Sequence, residues 1–245
     1  MTERTARIDS FDLPPGRVLA GKYAVERKLG GGWEGEVYEV TELLTGAPRA
    51  AKLFKPQRNR RDRAVRFYAR KLERLRDCSI VIQYHSSETI RVRGIPVTCL
   101  ISDHAGGEPL CDFVARRRGG RLPAFEALHL VRALARGVEE IHLRREYHGD
   151  LHDANVLVRR RGVCFDLKIV DFYQWGRPTA AHLRDDVADI VRLLYDAVGG
   201  RRRYADQPPE IKAVCKGLRR DLIGREFPTA AHLREHLESF DWPPR

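Results

Sequence analysis

The stretch that decides the fold reads HGDLHDAN, from His148 to Asn155. Because it directly follows a long helical pattern, it is predicted to form a turn that holds the carboxylate of Asp150 close to the amide of Asn155. Such a carboxylate can take the proton of an incoming hydroxyl, while the amide oxygen can bind a metal ion. A transition-metal cluster is the alternative interpretation, because two histidines and a second aspartate occupy the same stretch.

A further carboxylate stands at the end of a short apolar pattern. The sequence KIVDFY, from Lys168 to Tyr173, places Asp171 where a buried strand is predicted to end. A carboxylate in this position suits Mg²⁺, which prefers oxygen ligands. Taken alone, the same pattern is typical of an aspartate that caps a turn.

Glycines nearer the N-terminus are typical of a phosphate site. Gly30, Gly32 and Gly35, followed by Val37, form the pattern G-x-G-x-x-G-x-V between two predicted strands. Glycines let a tight turn bring backbone N–H groups against phosphate oxygens. A dinucleotide-binding fold would place a helix after the glycines, whereas the next residues read as a strand. A glycine-rich hairpin without a ligand would show the same pattern.

A lysine in the next predicted strand needs an explanation. Lys52 lies in the apolar stretch Arg49–Phe54, where burying an ammonium group is costly unless it has a charge partner. Helical spacing across Arg63–Arg76 puts Glu73 at the edge of an apolar face, so Glu73 is the predicted partner. The alternative is that Lys52 lies on the solvent side of its strand.

The order of the predicted elements indicates an α+β chain. From Lys22 to Ser102 the pattern is mostly strands, one of them at Ile80–Tyr84, with a single helix between them. After Gly106 the pattern is mostly helical, and one helix is marked by apolar residues from Val187 to Val198. The predicted parts are a loose leader (1–20), a strand-rich lobe (21–102) and a helical lobe (103–245).

In this order the four patterns resemble the eukaryotic-like protein kinase family, over about residues 17–240. The resemblance implies a bilobal protein-kinase-like fold that uses ATP and Mg²⁺. It makes Asp150 the catalytic base, Asn155 and Asp171 the magnesium ligands, and Asp186 the buried aspartate that braces the catalytic loop. Lys52 would bind the α- and β-phosphates and pair with Glu73. The residues that it assigns to the nucleotide are Gly30, Gly32, Gly35, Val37, Lys52, Asp103 and Ala105.

The chain also departs from the family. The family's His-Arg-Asp becomes His148-Gly149-Asp150, and Tyr173 replaces the glycine of Asp-Phe-Gly. Only fourteen residues separate Asp171 from Asp186, without an Ala-Pro-Glu motif, so the activation segment is predicted to be shortened. The sequence around His152 is also similar to that of aminoglycoside phosphotransferases. The main hypothesis is a protein serine/threonine kinase, and the alternatives are a small-molecule kinase and an inactive pseudokinase scaffold. The acceptor is accordingly a hydroxyl of a protein or of a small molecule.

Composition limits the setting and the partners. The net charge is +11, and the five scattered cysteines form no CxxC pair, which indicates a reducing cytoplasm. No apolar run is long enough to span a bilayer, so no membrane is expected. The arginine runs are interpreted as solvated loops, and the alternative is a surface for an acidic partner. Nucleic acid is not expected as a partner, since no aromatic residues alternate with the arginines. These runs are Arg58–Arg66, Arg116–Arg118, Arg159–Arg161 and Arg201–Arg203.

Overall fold

A computed structural model of the chain describes residues 7–162, 164–172 and 176–240, so Tyr173 lies outside the described residues. The chain forms two compact units. The first comprises the residues up to Arg76 together with Ile82–Ala105, and the second comprises Asp77–Val81 and the residues from Gly106 onward. No helix among the described residues is both long and apolar enough to cross a membrane.

The first unit is built on a six-stranded sheet in the order β1-β2-β3-β4-β6-β5, with antiparallel pairing throughout. Antiparallel neighbours need only short connections, which explains why turn signals are so frequent in this part of the sequence. Its elements are β1 (Val18–Leu19), β2 (Tyr23–Gly31), β3 (Gly35–Glu42), β4 (Pro48–Phe54), α1 (Arg63–Arg74), β5 (Tyr84–Val92) and β6 (Ile95–Asp103).

The predicted loose leader is wrong from Ile8 onward. Ile8, Phe11 and Leu13 are buried in the same apolar cluster as the inward-facing residues of the sheet. The backbone is also fixed, since the Gln57 side chain donates to the carbonyl oxygen of Ile8 at 2.7 Å and the Phe11 amide donates to Glu36 at 3.3 Å. Because these apolar residues are separated by polar ones, they form no periodic pattern that sequence reasoning could detect.

The second unit combines a small antiparallel sheet, in the order β7-β8-β9, with six α-helices among its described residues. The long helix α3 carries Gly137 against Ile80, where a Cβ atom would lie 2.4 Å from the Ile80 side chain, so this contact requires a glycine. The elements are β7 (Glu108–Pro109), α2 (Leu110–Ala115), α3 (Ala124–Leu143), β8 (Val156–Arg161), β9 (Cys164–Ile169), α4 (Ala180–Ala197), α5 (Pro209–Cys215), α6 (Arg220–Glu226) and α7 (Ala230–Glu238).

Two predicted elements are corrected. Residues 80–83 do not form a strand, because their strand-type pairing among the described residues is an isolated parallel bridge from Val81 to Ile169, whereas Tyr84 begins β5. The helix expected from Val187 begins at Ala180, where Thr179 caps it by accepting the amide of residue 182. The first turns of α4 carry mostly polar residues, so apolar periodicity failed to mark them. The segment between Asp171 and the next helix is therefore shorter than the sequence pattern suggested.

Candidate active site

The glycine-rich turn joins β2 to β3 and is closed by the Gly32 amide, which donates to the carbonyl oxygen of Gly35 at 2.9 Å. Gly35 is required by the fold, because a Cβ atom there would lie 2.1 Å from the carbonyl oxygen of Leu53. Gly30 and Gly32 face open space, with nothing within 4 Å of a Cβ atom. Their lack of side chains is thus not explained by packing, and it leaves room for a ligand to approach the backbone.

Lys52 lies on β4, opposite Val37 of β3. Its ammonium group is 2.8 Å from the carboxylate of Glu34, and the two side chains are 12% and 13% exposed. The same nitrogen lies 4.3 Å from the centre of the Tyr68 ring. Lys52 therefore does not face solvent, and its cation is held by an acidic residue of the glycine-rich turn.

The predicted pairing of Lys52 with Glu73 is wrong in this structure. The Glu73 carboxylate is half exposed and accepts from Arg76 at 2.7 Å. Helix α1 buries Lys71 and Leu72, and each further residue rotates by about 100°, which carries Glu73 away from the buried face. Sequence reasoning missed Glu34, although an acidic residue inside a phosphate-type turn was a signal that could have been followed.

The predicted adenine-contacting residues lie at and beyond the end of β6. The Asp103 amide already donates to the carbonyl oxygen of Gln83 at 2.9 Å. Its carboxylate lies 2.6 Å from His85 and 3.4 Å from Arg49. The Asp103 amide is therefore engaged, whereas its carbonyl oxygen, which accepts the Ser102 hydroxyl at 3.4 Å, has a second lone pair for a ligand. Ala105 follows the end of the strand.

In the second unit, the stretch HGDLHDAN forms an irregular loop between α3 and β8, as predicted. Asp150 projects its carboxylate into solvent, with 54% of the side chain exposed. Asn155 is buried, and its amide nitrogen donates to the carbonyl oxygen of Asp150 at 3.0 Å. The backbone carbonyl oxygen of Asn155 accepts the Val170 amide at 3.0 Å. Asn155 thus ties the loop of Asp150 to the backbone directly before Asp171.

Asp171 has a backbone φ of 60°, in the left-handed region that residues other than glycine rarely adopt. Such strained positions persist where the surrounding structure enforces them, and they concentrate at functional sites. The residues on both sides of Asp171 are held in place by His148. The buried ring of His148 donates to the carbonyl oxygen of Val170 at 2.9 Å, and it packs on Phe172 with a centroid distance of 4.7 Å.

Asp186 braces the loop from α4. Its carboxylate is fully buried and accepts the backbone amides of His148 and Gly149, each at 2.8 Å, as well as Nε2 of His142 at 3.0 Å. Burial alone would raise the pKa of the Asp186 carboxyl, but these hydrogen bonds outweigh it and hold that pKa below its usual value. No motif had pointed to His142, which lies in the last turn of α3.

The donor atoms fit magnesium better than a transition metal. Within the described residues, no group of three His, Cys, Asp or Glu side chains is placed to hold a metal ion. Asn155 uses its amide nitrogen within the loop, which leaves its side-chain oxygen as a ligand atom. An amide oxygen and the carboxylate of Asp171 match Mg²⁺, which binds through few protein oxygens together with phosphates.

Comparisons with known proteins show which family the chain resembles. The family model described as "Protein kinase domain" matches residues 23–183. The chain is 31% identical over 160 residues to CBL-interacting protein kinase 30 of Oryza sativa subsp. japonica, covering 64% of this chain and 31% of that protein. It is 27% identical over 223 residues to a probable serine/threonine-protein kinase of Corynebacterium efficiens, covering 78% of this chain and 33% of that protein.

A solved structure gives the same fold. The kinase domain of Mycobacterium tuberculosis PknI, as a double mutant, superposes with a TM-score of 0.62 at 23% identity, covering 93% of this chain and 97% of that one. The predicted protein-kinase-like fold is therefore confirmed. The chain spans about a third of the length of the two curated relatives described above.

Proposed function

The chain belongs to the protein kinase family, and from this membership we propose that it transfers the γ-phosphoryl group of ATP to a serine or threonine hydroxyl of a protein. The catalytic loop carries the proposal. An exposed carboxylate, Asp150, stands on a loop that Asn155 and Asp186 fix from two sides. A general base needs access to its substrate and a fixed position, and this loop supplies both.

Asp150 would accept the proton of the attacking hydroxyl. Asn155, through its side-chain oxygen, and Asp171 would hold Mg²⁺. Bound Mg²⁺ neutralises the charge that develops on the phosphates. Asp171 is placed by a backbone in the left-handed region and by the buried neighbour Phe172, and these fix where its side chain leaves the main chain.

The first unit would bind the nucleotide. The open space above Gly30 and Gly32 would receive the phosphates, and Lys52 would exchange Glu34 for phosphate oxygens. Val37, opposite Lys52 in the sheet, would contact the nucleotide from β3. Adenine would meet the carbonyl oxygen of Asp103 and the backbone of Ala105. Glu73, which pairs with Arg76 in this structure, is given no role in the proposed site.

A reducing compartment such as the cytoplasm is proposed as the setting. All five cysteines are free, and three of them, Cys78, Cys99 and Cys215, are buried. Free thiols in this number are typical of proteins that are not exposed to oxidising conditions.

The test is transfer of label from γ-labelled ATP in the presence of Mg²⁺, first with the chain alone and then with generic protein acceptors and a small-molecule fraction. The variant Asp150→Asn should abolish transfer. Asp153→Asn is the matched control, because Asp153 stands in the same loop and its side chain is equally exposed, at 53%. Label on proteins that Asp153→Asn retains and Asp150→Asn loses would support the proposal.

Three results would contradict the proposal or a part of it. Label confined to small alcohols would make the chain a small-molecule kinase. ATP binding without any transfer would make it a pseudokinase. A loss of label in both aspartate variants would remove the assignment of Asp150 as the base.

A further inference from the structure

A groove of about 510 Å³ lies within the second unit, between α3 and the outer edge of β9. One wall is formed by α3 and includes His129, Arg132 and Arg136. The other wall is the strand segment from Cys164 to Leu167, and Ser79 and Ile80 line the same cavity. None of these residues belongs to the catalytic loop.

The strand wall offers an open hydrogen-bonding edge. The Ile169 amide points away from β8 and donates to the carbonyl oxygen of Ile80 at 2.8 Å. Because backbone groups alternate in direction along an antiparallel strand, those of Leu167 and Phe165 point to the same outer edge. Among the described residues, no backbone group pairs with this edge before Ile169. An open edge of this kind is a template for another extended chain.

The helical wall is cationic. His129, Arg132 and Arg136 follow one another at spacings of three and four residues, so they share one face of α3. Arg132 shares its charge with Glu238 at 2.7 Å, whereas Arg136 is exposed.

The nearby carboxylates are already engaged. Asp166, on the strand wall, pairs with Arg161 at 3.6 Å. Glu140, one turn further along α3, accepts the Ser79 amide at 2.9 Å. Among the residues that line the groove, two arginines stand against the single carboxylate of Asp166, so the net charge of the lining is positive.

We propose that the groove docks an acidic, extended peptide segment of the protein substrate, which adds as a strand to the edge at Phe165–Leu167. Backbone pairing gives affinity to such a complex, and side-chain contacts give selectivity. Alternate side chains of an added strand would face α3, where carboxylates would meet Arg132 and Arg136. The identification of the peptide as substrate rests on the proposed kinase function, whereas the docking itself does not.

Cys164 gives a direct readout, because it lines the groove and is an exposed free thiol. The probe is a capped seven-residue peptide of alternating Glu and Val, with a Lys–Val peptide as control, and no ATP is present. At a peptide concentration of four times Kd, alkylation of Cys164 should slow about fivefold, since only the free protein reacts. Cys111 lies outside the groove and is half-buried, so its alkylation rate, followed by mass spectrometry, should not change.

Two changes separate the contacts that the proposal requires. Arg136→Glu should abolish the protection of Cys164, while Arg202→Glu, an identical charge reversal at an exposed arginine outside the groove, should retain it. A Glu–Val peptide that is N-methylated at every amide should not protect, because neither of its edges can then donate hydrogen bonds to the strand edge.

The docking proposal is overturned by three results: no protection at millimolar peptide, equal protection by the Lys–Val peptide, or protection that survives either N-methylation or Arg136→Glu. The alkylation assay contains no ATP. Its failure therefore leaves the kinase proposal standing, and a failure of phosphoryl transfer leaves the docking result standing.

Discussion

Replacing Asp186 by asparagine should destabilise the second unit by several times more than the same change at its neighbour Asp185. The two aspartates are adjacent in α4 but differ completely in environment. Asp186 is fully buried and accepts three hydrogen bonds, two of them from the backbone of the catalytic loop. Asp185 is 53% exposed and pairs with the exposed Arg220 at 2.9 Å.

The size of the effect follows from the contacts. Oδ2 of Asp186 accepts both His142 and the His148 amide, and Oδ1 accepts the Gly149 amide. Asparagine keeps one acceptor oxygen and sets an NH₂ group against at least one of these donors. A lost hydrogen bond to a buried charged group costs about 1.5–3 kcal/mol, so Asp186→Asn should cost about 2–4 kcal/mol. A surface pair such as that of Asp185 contributes about 0–1 kcal/mol.

Urea unfolding measures this difference as a shift in the midpoint at unchanged m-value. The pH dependence gives an independent check. Because the folded-state pKa of Asp186 is lowered, its stabilising effect is present at neutral pH and is lost as pH falls below the usual aspartate value of 3.8. The stability gap between wild type and Asp186→Asn should therefore narrow in acid. Equal destabilisation by the Asp185 and Asp186 variants, or a gap that does not depend on pH, would refute this reasoning.

Three further predictions concern the nucleotide turn and the catalytic unit. Gly35→Ala should lower the free energy of unfolding by about 1–3 kcal/mol through overpacking, while Gly32→Ala should leave this free energy nearly unchanged and weaken ATP binding. Urea unfolding measures the first effect and nucleotide titration the second. Equal losses of stability in the two variants would contradict the structural role given to Gly35. Glu34→Gln should tighten ATP binding by up to about tenfold, or about 1.4 kcal/mol, because it removes a carboxylate that competes with phosphate for Lys52. Unchanged affinity would show that this ion pair does not compete with phosphate. Burial and the neighbouring charge of Asp186 raise the pKa of Asp189 to about 6. Between about pH 4 and 6 the folded state therefore binds more protons than the unfolded state, so the wild-type protein loses stability as pH rises through that range. Asp189→Asn should therefore gain stability relative to wild type as pH rises from 4 to 7. A difference in Tm between the two proteins that stays constant over this pH range would disprove the prediction.

Sequence reasoning succeeded where the decisive residues are neighbours in the chain. The loop from His148 to Asn155 is one continuous stretch, and its sequence alone indicated the carboxylate of Asp150 and the amide of Asn155 on a turn. The helical pattern before His148 corresponds to the long helix α3, whose buried face repeats at helical spacing. The order of strands and helices likewise depends on local periodicity, and it was enough to indicate the fold.

Contacts between distant segments were decided by the tertiary structure. The partner of Lys52 is Glu34 rather than Glu73, because the rotation of α1 is set by packing and shifts by about 100° with each residue. The packing of Ile8 and the contact of His142 with Asp186 join segments that no local pattern connects.

The sequence by itself therefore determined which chemical groups the protein carries and in which order its elements follow. Only the tertiary structure decided which groups are paired, which are buried and which remain open to a ligand. The physical reason is that periodicity and turn chemistry act over a few residues, whereas burial and ion pairing depend on segments that meet only after folding.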